Sequence, residues 1–212
     1  MDKINKGLFI TLEGGEGAGK TTQATIVNDY FQANNLKTLK IREPGITKVG
    51  DKVREIIREA PEPISPISEL LLFSAARKEL VEKVIMPAIK ENKIIICDRF
   101  SDSTIAYQHY GRKIPMKIVQ QIISLSTQNL KPDMTILLDI DFQLAMKRKK
   151  GNLDYLEKES VTFHKNIRNG YKKLAKLEPK RWIEINASQE QEIISEEIIS
   201  KIKKWITNEN KN

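Results

Sequence analysis

Gly14-Gly15-Glu16-Gly17-Ala18-Gly19-Lys20-Thr21 decides how the rest of the chain is read. It follows the apolar run Leu8-Phe9-Ile10-Thr11-Leu12 and precedes Thr22-Gln23-Ala24-Thr25-Ile26-Val27, which has helical character. Strand, glycine-rich turn and helix, in that order, are the setting in which a G-x-x-x-x-G-K-[ST] pattern makes a phosphate site. Successive backbone N–H groups converge on one phosphate only if the chain curls tightly, and glycines permit the curl. The helix start adds unpaired N–H donors and the positive end of its dipole. Gly14, Gly15, Glu16, Gly17, Ala18 and Gly19 form the cradle. Lys20 then reaches the β- and γ-phosphates, and the Thr21 hydroxyl is placed to ligate Mg²⁺. The pattern implies a nucleoside triphosphate site.

Outward from this loop, apolar strands and helices alternate. Residues 8–12 form a first strand, and the helix after the loop runs to Asn34-Asn35. A second strand, Thr38 to Arg42, ends in Glu43-Pro44-Gly45, a turn at the edge where parallel sheets bind ligands. Val49 to Ile57 forms a short helix, and Pro61, Pro63 and Pro66 stiffen a connector. A long helix is predicted from Ser68, kinked at Pro87, before the buried strand Ile94-Ile95-Ile96-Cys97-Asp98. A helix after Pro115 runs to Gln128, then come a strand at Met134 to Leu138, a helix through Ala145, and one holding Tyr155, Phe163, Ile167 and Tyr171. A strand at Trp182 to Ile185 and a terminal helix close the chain. The pattern predicts an α/β protein with a three-layer P-loop NTPase fold, a five-stranded parallel sheet with helices on both faces. Right-handed crossovers align the C-terminal ends of the strands along one edge.

The 212 residues suffice for one domain, residues 1–212, with a substantial core. No apolar run approaches a bilayer span, and Met1-Asp2-Lys3-Ile4-Asn5-Lys6 lacks a signal-peptide core, so no membrane association and a cytoplasmic location are expected. The single cysteine, Cys97, excludes an internal disulfide and a multi-cysteine metal site. The net charge of +8 comes from lysines interspersed with glutamates on helices. Anionic nucleotides as substrates account for it, and no nucleic-acid partner is expected.

Asp98-Arg99 is the second chemical signal. An aspartate ending a buried strand of a P-loop protein holds Mg²⁺, directly or through water, or orients an attacking group. Arg99 beside it suits a bidentate phosphate clamp. Arg54 and Arg77 lie on helices flanking the same edge, and a second phosphate needs such cations. The run Lys147-Arg148-Lys149-Lys150-Gly151 reads either as an exposed helix end or as a mobile lid over the transferring phosphate. Its place after the fourth strand favours a lid, at about residues 147–158. Phe73 is core or a base-stacking platform, and Tyr107 and Gln108 are helix surface or cleft-lining polar groups. His109 and His164 show no ligand spacing and read as structural or surface residues, and Cys97 reads as inert.

Several motifs together resemble the thymidylate kinase family over nearly the whole chain. They are Leu12-Glu13-Gly14-Gly15-Glu16-Gly17-Ala18-Gly19-Lys20-Thr21-Thr22-Gln23, Arg42-Glu43-Pro44-Gly45, Leu71-Leu72-Phe73-Ser74-Ala75-Ala76-Arg77, Asp98-Arg99-Phe100-Ser101-Asp102-Ser103-Thr104-Ile105-Ala106-Tyr107-Gln108 and Gly151-Asn152-Leu153-Asp154. The resemblance implies phosphorylation of dTMP to dTDP by ATP with Mg²⁺, and a homodimer packed through helices beside the acceptor site. It implies that Phe73 stacks on thymine, that Arg77 and Thr104 bond its edge, and that Tyr107 crowds the sugar 2′ position, with Gln108 alongside. Glu16 would touch the acceptor's sugar or phosphate side, Arg54 and Arg99 would hold its phosphate, and Asp98 would lie near Mg²⁺. With Glu16-Gly17 the P-loop carries no arginine, so the chain resembles the bacterial branch, whose catalytic cation comes from the lid. Arg148, Lys149 and Lys150 are the candidates, because Tyr155 stands where that lid usually has an arginine, and Ile46 replaces a common second glycine. The competing readings are a kinase of another monophosphate or nucleoside, and a P-loop ATPase or GTPase acting as switch or motor.

Overall fold

The structure, a computed structural model, describes residues 6–148 and 155–209. Its centre is a sheet of five parallel strands: β1 (Leu8–Glu13), β2 (Thr38–Arg42), β3 (Ile94–Asp98), β4 (Met134–Asp139) and β5 (Trp182–Asn186). Their spatial order is β2-β3-β1-β4-β5, so the strand that feeds the glycine loop is central. Helices cover both faces, and every residue of β1 is buried.

Side chains alternate between faces along a strand, and that parity sorts the core. Leu8, Ile10 and Leu12 of β1 join Ile94 and Ile96 of β3 under α1 (Lys20–Ala33) and α9 (Gln191–Glu209). Phe9, Ile95 and Cys97 face the other way, toward Leu80, Val81 and Ile85. The same alternation sets the chemistry at the strand ends. Asp98 follows the even positions to the α1 side, opposite Leu12 of β1 and Arg42 of β2. Glu13 follows the odd positions to the opposite face.

The β2–β3 crossover contains α2 (Lys48–Glu59), α3 (Pro66–Leu80), a π-helical segment (Val81–Ile85) and α4 (Met86–Lys90). Pro66, expected in the connector, opens α3 instead, where its missing N–H is harmless, and Ser65 caps the helix by accepting from Ser68 N. Pro87 falls in the first turn of α4, and the interruption expected there takes the form of the wide turns just before it. The β3–β4 crossover holds α5 (Ser101–Thr104), a second π-helical segment (Ile105–Gly111) and α6 (Met116–Thr127). Between β4 and β5 lie α7 (Phe142–Arg148) and α8 (Val161–Leu177). Tyr155, expected within that last helix, sits instead in a turn ahead of it, because Ser160 caps α8 by accepting from Phe163 N. No helix among the described residues is long and apolar enough to cross a membrane.

Candidate active site

The strand-to-helix loop adopts backbone that glycine permits. Gly14 has φ of +147°, and a Cβ there would lie 2.6 Å from Leu138 O. Gly19, at the N-cap of α1, has φ of +87° and supplies no capping side chain, and the first turn of α1 carries no acid. The first N–H groups of α1 therefore have neither a capping oxygen nor a competing carboxylate, which leaves them to an anion. Lys20 Nζ folds back to donate to Gly15 O at 2.6 Å. Burial, reinforced by the Arg99 guanidinium, lowers its ammonium to about 8, against the pull of Glu16 and Asp98.

The Thr21 hydroxyl donates to Asp98 Oδ2, joining the start of α1 to the end of β3. Mg²⁺ keeps several waters and is commonly held by one or two protein oxygens plus substrate phosphates. A hydroxyl and a carboxylate side by side at the loop mouth fit that donor set. Among the described residues no cluster of three His, Cys, Asp or Glu forms an all-protein metal cage.

A cavity of about 440 Å³ runs from this loop along the sheet edge. Glu16, Gly17, Gly19, Lys20, Thr21 and Asp98 line one end, and Arg54, Phe73, Arg77, Thr104 and Gln108 the other, with Arg99 and Tyr107 between. Phe73 is half-buried in a cluster with Val53, Ile57 and Ala76, so α2 and α3 together present its ring to the cavity. Arg77 is 2% exposed and clamped: Nε and Nη2 donate to the Glu43 carboxylate at 2.9 and 2.7 Å, and Nη1 donates to Thr104 Oγ1 at 2.8 Å. Nη2 also donates to Phe100 O, which leaves one N–H of Nη1 for an acceptor in the cavity. Arg54 Nη1 donates to Pro44 O at 3.3 Å, and the Glu43–Pro44 peptide is cis.

Arg99 follows β3 with φ of +71°, unusual for a side chain with a Cβ. Its Nη2 donates to Glu16 Oε1 at 2.6 Å, and the same oxygen accepts the Tyr107 hydroxyl at 2.6 Å. Burial raises the Glu16 carboxyl, but Arg99, Lys20 and Tyr107 outweigh it and hold the group at about 2. Glu16 is thus an anion among cations, at the loop end of the cavity against Arg99 and Tyr107. Gln108 Nε2 donates to Glu69 Oε1 at 2.8 Å, and Arg112 braces Glu69 from the other side.

Arg148 lines the cavity from the end of α7, with Nη1 donating to Ala187 O at 2.8 Å and Nη2 donating to Ser188 O. Lys149, Lys150 and Gly151 to Asp154 lie outside the described residues. His109 Nδ1 contacts Ile114 O, and His164 stacks on Phe142 with centroids 3.6 Å apart, consistent with structural roles. Burial, then Glu43 and Asp98, push the Cys97 thiol up, which makes it inert. Sequence reasoning passed over Glu43, Glu13, Ser103 and Tyr171 as site groups. A carboxylate ending an otherwise apolar strand was the available signal for Glu13, and the place of Glu43 at the turn after β2 was the signal for that residue; Ser103 and Tyr171 gave none.

A P-loop with a second cationic, aromatic-walled subsite on the same sheet edge defines a nucleotide kinase. The profile of the thymidylate kinase family matches residues 12–198. The thymidylate kinase of Thermoanaerobacter sp. (strain X514) is 44% identical over 202 residues, covering 95% of this chain and 100% of the relative. That of Deinococcus radiodurans is 40% identical over 197 residues, covering 92% and 96%. The crystal structure of thymidylate kinase from Ehrlichia chaffeensis superposes with a TM-score of 0.75 at 34% identity, covering 93% of this chain and 99% of that one. The chain belongs to the thymidylate kinase family. Its activity is ATP-dependent phosphorylation of dTMP, a step of nucleotide biosynthesis.

Proposed function

We propose that the γ-phosphoryl group of ATP passes directly to the 5′-phosphate of dTMP, in line and without a phosphoenzyme, giving ADP and dTDP. The observation that carries this reading is the continuity of one cavity from Lys20 and Thr21 to Phe73 and Arg77. Residues 14–21 cradle the donor phosphates, and Lys20 follows the charge that builds on the γ-group. Thr21 and Asp98 would hold Mg²⁺, which when bound would supply neutralisation of the negative charge on the donor phosphates. Arg99 and Arg54 hold the acceptor phosphate, and holding two anions together in line is most of the catalysis. Phe73 stacks on the base, and Arg77 and Thr104 bond its edge, with Gln108 alongside. The spare Nη1 N–H of Arg77 suits a carbonyl acceptor, which thymine carries at position 4 and cytosine does not. Tyr107, fixed on Glu16, closes the space beside the sugar. The lid at 147–158 closes over the reacting groups, and its cations, Arg148 and Lys150, replace the arginine that the P-loop lacks. The cytoplasm, where free nucleotides are made, is the proposed place of action.

A panel of dTMP, dUMP, dCMP, UMP, CMP and AMP with ATP tests the assignment. The highest kcat/KM is expected for dTMP, with dCMP at least about a hundredfold lower, because an amino group at position 4 leaves the Arg77 donor unpaired. Preference for UMP or AMP would overturn the acceptor assignment.

The chain is also proposed to act as a homodimer. Ile67 and Leu71 on α3, and Ile118 and Leu125 on α6, turn apolar side chains outward at helical spacing, Leu125 at 76% exposure. Solvent-exposed apolar faces of this kind suit a second copy. Sedimentation at twice the chain mass is expected, and at the single chain mass for a Leu71→Glu, Leu125→Glu variant; a monomeric parent rejects the dimer.

A further inference from the structure

Tyr171 lies on α8, far along the chain from the P-loop and from β3, yet its hydroxyl reaches the acceptor arginine. The side chain is 1% exposed, wedged against Trp182 with ring centroids 6.4 Å apart. Its hydroxyl donates to Glu13 Oε2 at 3.0 Å and lies 2.8 Å from Ser103 Oγ, which itself donates to the same Glu13 oxygen at 2.6 Å. Glu13 Oε1 meanwhile accepts Phe100 N at 2.8 Å, tying the end of β1 to the chain just after Arg99. Arg99 Nη1 donates to Ser103 Oγ at 3.3 Å, to Tyr171 at 3.4 Å and to Gly14 O at 3.1 Å. One face of the guanidinium edge is therefore occupied by a hydroxyl pair that a buried carboxylate holds in place, and Nη2 carries the Glu16 contact.

Three oxygens in a triangle make three contacts, and the two hydroxyls supply only two protons. Burial, with Asp102 nearby, raises the Glu13 carboxyl to about 7, so a proton on Glu13 lets one hydroxyl turn from the carboxylate to the other hydroxyl and complete the triangle. A buried network of this kind holds its heavy atoms rigidly, which is what a positioning element requires.

Resting on the acceptor-phosphate role proposed above for Arg99, we propose that Tyr171 is a positioning residue for the acceptor phosphate. With Ser103 and Glu13 it fixes the surface against which the Arg99 guanidinium is oriented. Tyr171→Phe keeps the ring and removes only the hydroxyl.

The experiment is a double-mutant cycle on the full chain, with Tyr171→Phe, Arg99→Ala and the pair, read as kcat and KM for dTMP and as ATP affinity by calorimetry. Tyr171→Phe is expected to lower kcat/KM for dTMP about tenfold with ATP affinity unchanged. In the Arg99→Ala background the same change is expected to have no further effect, because its target is gone. Additive losses in the double variant, or equal losses of ATP and dTMP binding, would mean that Tyr171 acts through general packing and would overturn the proposal. Should Tyr171→Phe fail to fold, Ser103→Ala takes its place in the cycle with the same expected outcomes. If Arg99→Ala leaves transfer intact, the role of Arg99 itself fails. If that variant is impaired and Tyr171→Phe behaves as the parent, only the positioning inference fails.

Discussion

Replacing Arg99 by alanine is expected to lower kcat/KM for dTMP roughly 10³-fold, the range measured when a preorganised cation or oxyanion donor is removed. ATP affinity should change little, because Arg99 meets the donor loop at Gly14 O and at the Glu16 carboxylate rather than at its backbone N–H groups, and the α1 N-terminus and Lys20 remain. A second consequence follows from the Arg99–Glu16 ion pair, whose side chains are 17% and 14% exposed. Loss of one partner of a largely buried pair leaves the other charge uncompensated. Glu16 keeps the Tyr107 hydroxyl and the neighbouring Lys20, so its carboxyl should rise from about 2 without losing its charge at neutral pH. Arg99→Lys keeps the charge and loses the fork, so it should recover only part of the activity. Steady-state kinetics, calorimetry with ATP and a thermal melt of each variant separate these effects. Loss of ATP binding in a folded Arg99→Ala protein would contradict the assignment to the acceptor.

Lys20→Ala is expected to lower kcat roughly 10²- to 10³-fold, since it removes the one loop cation aimed at the charge that develops on the transferred group. Unlike Arg99→Ala it should also weaken ATP itself. The pH dependence provides an independent check. In the free protein the Lys20 ammonium titrates at about 8, lowered chiefly by burial and by Arg99. A triphosphate beside it favours the charged form, so binding raises that value. The sign follows directly: ATP affinity is at its full value below pH 8 and falls by about tenfold per pH unit above it, until the value in the complex is passed. At pH 8.5 binding should take up a proton, visible as a dependence of the calorimetric enthalpy on the ionisation enthalpy of the buffer. Lys20→Ala should abolish that uptake, and equal uptake in parent and variant would assign the proton elsewhere.

Much of this protein was legible along the chain because its signals are local. The glycine loop, the helix after it and five apolar strands need only neighbouring residues to be recognised, and alternation with helices then dictates a parallel sheet whose C-terminal edge collects Lys20, Asp98 and Arg99. Proline positions were legible less securely. Pro66 opens a helix and Pro87 follows a π-helical segment, since the same missing N–H suits a helix start as well as a break.

The partners of those residues were decided by tertiary structure alone. Nothing in sequence spacing says that Glu43 takes up two donor groups of Arg77, that Glu16 joins Arg99 to Tyr107, or that Arg148 reaches the carbonyls after β5. Parity along β1 sends Glu13 to the face away from α1, but only the packing of α5 and α8 against that face surrounds it with Ser103 and Tyr171. The physical reason is range. Backbone preferences and hydrophobic period act over a few residues, whereas a buried hydrogen bond forms wherever folding leaves a donor no other acceptor. The residues proposed for the two phosphate subsites were therefore written into the sequence, and the hydrogen bonds that join them came from the fold.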